Sequence, residues 1–222
     1  MMGTLCKGAV LVAVTALAIA VPLFAQYPSC DDATVLGLEL SGELVAPANV
    51  VSQITQDLAI IRDAYPVVAG ITVWRDWVPG VLLVGLTDNA WAQYLAGTFT
   101  ALDALNDEYG LTIVDKNPIA KSLVLASQEC SNPTVMVDAY WARPEVMYVE
   151  PSHYINDGDD ITCPTLGWYT FKHGWGDCIM ECPSAHYWHF RVIDNAATLV
   201  SESGDALADE AHTFGAVKAL FR

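Results

Sequence analysis

The side chains best suited to chemistry are concentrated near the C-terminus. They are His173, Asp177, Cys178, Glu181, Cys182, His186 and His189. Thiolates and imidazoles are the ligands that structural zinc prefers, so one interpretation is a zinc site built from the two cysteines and two histidines, such as His186 and His189. The other interpretation is a Cys178–Cys182 disulfide beside histidines that pack on a strand, since oxidation outside the cytoplasm competes with thiolate binding. The three-residue separation fits both, and we expect the disulfide, with no metal and no cofactor.

Sequence signatures of the common nucleophilic, metal-hydrolytic and nucleotide-binding sites are absent from the chain. It has no G-x-S-x-G, no H-E-x-x-H, no P-loop and no dinucleotide-binding glycine pattern. Ser184 lies close in sequence to Asp177 and His186, but a catalytic triad is recognised by geometry rather than by proximity along the chain. The sequence therefore favours a non-catalytic protein.

Trp175 is the best candidate for a binding residue in this region, because glycines flank it on both sides. A large aromatic side chain on such a loop is typical of recognition surfaces. The alternative is a structural anchor that packs onto the neighbouring hairpin. Just upstream, residues 156–160 form an acidic loop, which is either a solvated linker or a site for a hard cation such as calcium.

The N-terminal residues have the pattern of a secretory signal peptide. Lys7 gives a short positive region, residues 9–21 are uncharged and apolar, and Ala25 precedes a plausible cleavage point. The alternative is a membrane anchor, but the apolar run is short beside the roughly 20 residues of a spanning helix, and Pro22 closes it. We expect a cleaved signal over residues 1–25, and a secreted, periplasmic or otherwise extracytoplasmic protein without a stable membrane span.

The expected cleavage also determines which cysteines the mature chain keeps. Cleavage at Ala25 leaves an odd set of cysteines, whose default fate outside the cytoplasm is disulfide formation. They are Cys30, Cys130, Cys163, Cys178 and Cys182. Beside the Cys178–Cys182 ring we expect a Cys130–Cys163 bridge with Cys30 left over, although spacing does not fix the connectivity.

The chain is strongly acidic, with a formal net charge of −16 over 222 residues. Such a surface repels phosphate backbones and anionic lipids, so nucleic acid is excluded as a natural partner. Basic protein surfaces and calcium remain compatible with this charge.

Hydrophobic periodicity predicts an α+β fold. An amphipathic helix is expected over residues 48–64, and a β-α-β-β-α-β succession follows, which is the order of a ferredoxin-like domain. Its strands are expected at residues 81–86, 111–116, 120–126 and 146–149, and its helices at 88–109 and from Pro133.

A disulfide-braced antiparallel hairpin or meander follows, with strands at 167–173, 185–193 and 197–200 and a short helix or frayed tail over 206–222. The predicted divisions are a signal peptide (1–25), an N-terminal segment with a helix (26–76), the ferredoxin-like domain (77–156) and a C-terminal β region (157–222).

Two phrases in the middle of the chain resemble the prodomains of secreted subtilisin-type proteases, over about residues 77–155. They are the strand VLLVGLT after Trp77-Val78-Pro79-Gly80, and Arg143-Pro144-Glu145-Val146-Met147-Tyr148-Val149-Glu150-Pro151. The resemblance implies a domain that assists folding of a protease and inhibits it. It further implies that the sheet packs on the protease and that the stretch Ser152, His153, Tyr154 and Ile155 enters the active-site cleft.

The chain departs from that family because no subtilase Asp, His and Ser segments follow. The C-terminal region is instead similar to a motif of uncharacterised secreted bacterial proteins, which implies no activity. The expectation is thus an exported, non-catalytic protein-binding module that acts as a standalone inhibitor or a chaperone of a subtilisin-like protease. Its expected partner is a secreted serine protease or another envelope protein. The alternatives are a cell-envelope structural or interaction protein, and a zinc-binding protein that uses the C-terminal histidines and cysteines.

Overall fold

The computed structural model of the protein describes residues 28–153, 158–176, 178 and 182–207. The predicted signal peptide lies outside these ranges, as does almost all of the predicted tail helix. No helix among the described residues is both long enough and apolar enough to cross a membrane.

Within these ranges the chain is an α+β protein with two antiparallel four-stranded sheets. The first sheet has the order β2-β3-β1-β4 and contains β1 (Trp77–Leu86), β2 (Leu111–Asn117), β3 (Ser122–Ser127) and β4 (Val146–His153). The second has the sequential order of β5 (Asp160–Thr165), β6 (Trp168–Trp175), β7 (Ser184–Ile193) and β8 (Ala196–Gly204). The helices are α1 (Asp32–Ser41), α2 (Ala48–Ala64), α3 (Asp88–Leu95), α4 (Asp103–Tyr109) and α5 (Val137–Trp141), with short 3₁₀ turns at Pro66–Val68 and Pro133–Met136.

One face of the first sheet is covered by α3, α4 and α5. Alternate strand residues Leu82, Val84 and Leu86 share a core with helix residues such as Leu105 and Tyr140. The intervening strand residues must project to the opposite side, because successive side chains of a strand alternate between faces. The continuous apolar run of β1 therefore contributes to both faces of its sheet.

The prediction of a single helix over residues 88–109 is wrong, because the structure divides this segment into α3 and α4. Gly97 has a left-handed φ of 70°, which ends the first helix, and α4 begins only at Asp103. The apolar residues still face one core, so periodicity alone did not reveal the break.

The segment before residue 48 contains a helix that the sequence analysis missed. The Asp31 side chain accepts a 2.7 Å hydrogen bond from the Thr34 N–H and caps the start of α1, and Gly42 ends it with a φ of 64°. Leu36 and Leu38 are fully buried. Apolar residues are not confined to one stripe of this helix, so it lacks the amphipathic signal.

The predicted helix over residues 48–64 is confirmed as α2, and its apolar side packs against the second sheet. Ile54, Leu58 and Ile61 share a hydrophobic core with Phe171 and Phe190. The N-terminal helices and the C-terminal strands therefore form one packed unit, although the whole first sheet lies between them in sequence.

Candidate functional site

One candidate surface is the face of the first sheet that none of the described helices covers, called here the helix-free face. We define it by Leu83 and Gly85 on β1, Val124 on β3, and Tyr148 and Glu150 on β4. Leu83 lies opposite both Val124 and Glu150 in the strand register, and Gly85 lies opposite Tyr148. Glu150 is exposed, whereas Leu83, Val124 and Tyr148 are half-buried. Rings and branched side chains at these positions form an apolar patch with an acidic margin.

Glycine at position 85 is required by the packing on this face. A Cβ built there would lie 2.0 Å from Cε1 of Tyr148, so the tyrosine ring lies directly over the glycine backbone. The hydrophobic cluster on this side, centred on Val81 and Ala126, consists of strand residues only among those described. Tyr148 is thus held against the sheet as part of a flat surface.

The stretch predicted to leave the sheet after Pro151 begins as a continuation of β4. Ser152 and His153 belong to the strand, His153 is paired with Trp77, and His153 Nδ1 lies 2.8 Å from the carbonyl oxygen of Asp76. Tyr154 and Ile155 lie outside the described residues. The proposed cleft-entering stretch is therefore anchored to β1 at its first half.

Trp175 lies at the end of β6, opposite Ser184, rather than on a free loop. Its side chain is half-buried, and its ring lies 5.7 Å from that of His173. Cys178 and Cys182 are joined by a disulfide. The arrangement around Trp175 is that of a braced hairpin end, which fits the structural-anchor alternative.

The three histidines of the second sheet each have local partners. His173 Nδ1 lies 2.6 Å from the Asp159 carboxylate, and His186 contacts Glu202 and the carbonyl of Asp205. His189 lies 3.0 Å from the Thr170 hydroxyl. His186 and His189 are three residues apart on one strand and so project from opposite faces. With both sulfurs joined to each other, these four residues are not arranged as a zinc site.

The predicted Cys130–Cys163 bridge is wrong. Cys130 is bonded to Cys30 instead, across a sequence separation of 100 residues, and Cys163 is a buried free thiol. The physical reason is placement: Cys163 lies in the core between α2 and the second sheet, whereas Cys130 lies on the loop after β3. Cys30 precedes α1 and reaches that loop.

Arg75 connects the N-terminal helices to the second sheet. Its guanidinium contacts Glu39 of α1 and donates to the Asp160 carboxylate at 2.7 Å and to the carbonyl of Ile161 at 3.1 Å. Burial raises the pKa of Asp160, against the opposing effects of Arg75 and of the backbone N–H groups of Trp74 and Ile161. The described part of the predicted acidic loop is thus occupied by protein contacts, with Asp159 on His173 and Asp160 on Arg75.

A buried polar chain links α2 to β6. The Tyr169 hydroxyl donates to the Asp57 carboxylate at 2.8 Å, and the Gln53 amide donates to the same carboxylate at 2.8 Å. Burial and the bond to Asp57 raise the pKa of Tyr169, and burial raises the pKa of the neighbouring Cys163 thiol to about 11. Burial likewise raises the pKa of Tyr140 in the first core. The two tyrosines and the Cys163 thiol are therefore protonated at neutral pH.

The helix-free face was not singled out as a set of residues by the sequence analysis. The sequence of β1 does not show which residues share a face, because a strand that buries both faces reads as a continuous apolar run rather than as an alternation of apolar and polar residues. Only the register, which pairs Gly85 with Tyr148, identifies the residues that share this side.

Metal-binding clusters and similarity to known proteins are two further guides to the function of a chain. No group of three or more His, Cys, Asp or Glu side chains within the described ranges is arranged to hold a metal ion. The chain matches no protein-family model, no curated protein and no solved structure.

Proposed function

We propose that the protein is an exported, non-catalytic binding module whose partner is a secreted serine protease of the subtilisin type. The observation that carries the proposal is the helix-free face of the first sheet, where none of the described helices covers the apolar side chains of three strands. In subtilisin-type prodomains, the corresponding sheet is the surface that packs on the protease. The role is that of an inhibitor or a folding chaperone.

The arrangement of the first sheet supports this proposal. The strand order β2-β3-β1-β4, with all neighbours antiparallel and the helices on one side, is the order that a ferredoxin-like β-α-β-β-α-β domain requires. The phrase of residues 143–151 that carries the resemblance occupies the turn before β4 and most of that strand. Tyr148 and Glu150 of this phrase lie on the helix-free face.

An oxidising compartment is consistent with the disulfides among the described cysteines. Both bonded pairs are of the kind that persists outside the cytoplasm, where thiols are not kept reduced. The proposed location is therefore extracytoplasmic, which is where a secreted protease would be met.

The anchoring of His153 changes how such an inhibitor would act. A prodomain whose last residues are free inserts them into the protease cleft, whereas in this chain the strand continues to His153 and is tied to Asp76 and Trp77. The proposed contact is therefore made mainly by the sheet, and inhibition need not depend on a free tail.

The test is inhibition of a panel of secreted subtilisin-type proteases by the purified chain from residue 26 onward. We expect slower peptide hydrolysis by at least one protease, and loss of that effect in the double variant Leu83→Glu/Tyr148→Glu. The matched control is Thr198→Glu/Ser201→Glu, which adds the same charge to exposed positions of β8. Circular dichroism establishes that both variants are folded.

Two results would overturn the proposal. The first is the absence of inhibition, and of any rescue of protease refolding, across the panel. The second is equal inhibition by the helix-free-face variant and the wild type. An envelope interaction role would then be the better account, with the packed unit of α1, α2 and the second sheet as its structural basis.

A further inference from the structure

We propose a separate binding site for an organic cation, an alkyl guanidinium or ammonium group, in a cavity of about 420 Å³ at one end of the first sheet. Its lining comes from the α1–α2 connection, the end of α4 and the loop after β3. The residues that matter are Val45, Asp107, Glu108, Glu129 and Ser131. None of them belongs to the helix-free face, so the site is independent of the protease proposal.

Unpaired negative charge is the first feature of the cavity. Asp107, Glu108 and Glu129 all line it, and none makes an ion pair with any described residue. All three side chains are exposed, so water screens their mutual repulsion, and a cation bound among them lowers it further.

The position of two of these carboxylates contradicts helix electrostatics. Asp107 and Glu108 fall in the last turn of α4, which contains no basic residue. The C-terminal end of a helix carries partial negative charge, so acidic residues there are unfavourable. Violations of a local rule without an internal compensation are expected at functional sites, and a cation in the cavity supplies that compensation.

The opposite wall of the cavity is held rigidly. Cys130 is tied to Cys30, the Gly80 N–H donates to the Ser131 carbonyl at 2.7 Å, and the Glu129 N–H donates to the Ser127 hydroxyl at 3.0 Å. The backbone that carries Glu129 is therefore fixed before a ligand binds, and only its side chain has to be ordered.

Ser131 and the apolar side chains that line the cavity indicate the kind of molecule that carries the cationic group. Ser131 is only 4 % exposed, and its hydroxyl has no hydrogen-bond partner within the described residues. Val45 is 54 % exposed, and it lines the cavity together with Leu44 and Tyr109. Carboxylates beside apolar side chains suit a charged head with N–H donors on an aliphatic stem, as in an arginine or lysine side chain or a free polyamine.

A bare metal ion fits the cavity less well than an organic cation. The three carboxylates belong to no metal-binding cluster among the described residues. The volume of about 420 Å³ is also that of a small-molecule pocket rather than of an ion site.

The experiment is isothermal titration calorimetry of the chain from residue 26 onward with four probes. They are agmatine, spermidine, the peptide acetyl-Gly-Arg-Gly-amide and its citrulline analogue, which keeps the shape but lacks the charge. We expect saturable binding of the charged probes, weaker at high salt, and none of the citrulline peptide. Tighter binding of the arginine peptide identifies a protein side chain as the ligand, and tighter binding of agmatine or spermidine identifies a free amine.

Variants locate the binding. Glu108→Gln and Glu129→Gln are each expected to weaken binding about fivefold. The control Asp194→Asn removes an equal charge from an exposed turn whose φ of 50° asparagine accepts, and it should leave the affinity within about twofold of the wild type. Equal weakening in the control, equal binding of the citrulline peptide, or no saturable binding of any charged probe would each overturn the proposal.

Discussion

At the scale of single residues, Cys163 is a free thiol in a chain whose other described cysteines form two disulfides. It is 5 % exposed, and burial raises its pKa to about 11, so almost no thiolate exists at neutral pH. Because the thiolate is the species that attacks disulfides, the folded chain protects the Cys30–Cys130 bond from exchange with Cys163. Burial thus keeps this thiol unreactive, as a disulfide bond to a second cysteine would otherwise do.

The raised pKa of Cys163 predicts a loss of stability in alkali. The protonated thiol is favoured in the folded state, so its contribution is complete below the unfolded pKa near 9 and is lost as pH rises to the folded value of about 11. A difference of two units corresponds to at most about 3 kcal/mol. Urea unfolding at pH 8 and pH 10.5 should show the free energy of unfolding falling by about 2 kcal/mol, because pH 10.5 is still below the folded pKa.

The variant Cys163→Ala separates the thiol from other ionising groups. Tyr140 and Tyr169 also have raised pKa values, so some alkaline loss persists in the variant. We expect a clearly smaller fall between the two pH values than in the wild type. An identical fall in the two proteins would show that Cys163 does not ionise differently on unfolding.

At the scale of elements, Arg75 acts as a junction. It precedes β1, and its side chain joins α1 through Glu39 to β5 through Asp160. The arginine side chain is 8 % exposed, and Glu39 and Asp160 are 47 % and 19 % exposed. A charge that is this well buried and paired makes a larger difference when deleted than a surface ion pair does.

The variant Arg75→Gln should therefore destabilise the protein by about 2–4 kcal/mol, because Asp160 keeps its burial and loses its cation. Chemical denaturation measures this free energy directly. The control is Lys121→Gln, which breaks an exposed pair with Asp88 and should cost less than about 1 kcal/mol. Similar costs for the two variants would contradict the role of Arg75 as a junction.

The elements also show what the sequence could and could not predict. The helix of residues 48–64 was predicted with its observed bounds, because its apolar residues form one stripe and Pro66 ends it. α1 was missed because its apolar residues are not confined to one such stripe, although Asp31 and Gly42 were available as capping signals. β5 was missed because its acidic start reads as a loop, whereas in the structure Arg75, the pairing with β6 and the burial of Ile161 stabilise it as a strand.

At the scale of the whole molecule, segments that are far apart in sequence share one core. Ile54 and Ile61 of α2 pack in the same cluster as Ile161, Phe171 and Phe190. Periodicity reveals which side of α2 is apolar but not which sheet covers it, so the sequence alone did not predict that the second sheet packs on this helix. The same limit explains the wrong disulfide, since the proximity of Cys30 to Cys130 depends on how α1 is positioned.

This shared core predicts which elements lose amide protection when a core residue far away in sequence is replaced. Replacing the fully buried Phe171 of β6 with alanine should cost about 3–5 kcal/mol, and the loss of amide protection should include α2 as well as the second sheet. The matched change in the other core is Leu125→Ala on β3, whose effect should be greatest in the first sheet and α3–α5. Hydrogen exchange followed by mass spectrometry distinguishes the two patterns. If Phe171→Ala leaves the protection of α2 unchanged while that of β6 falls, the helix and the second sheet do not form one unit, and the N-terminal segment must derive its stability from elsewhere.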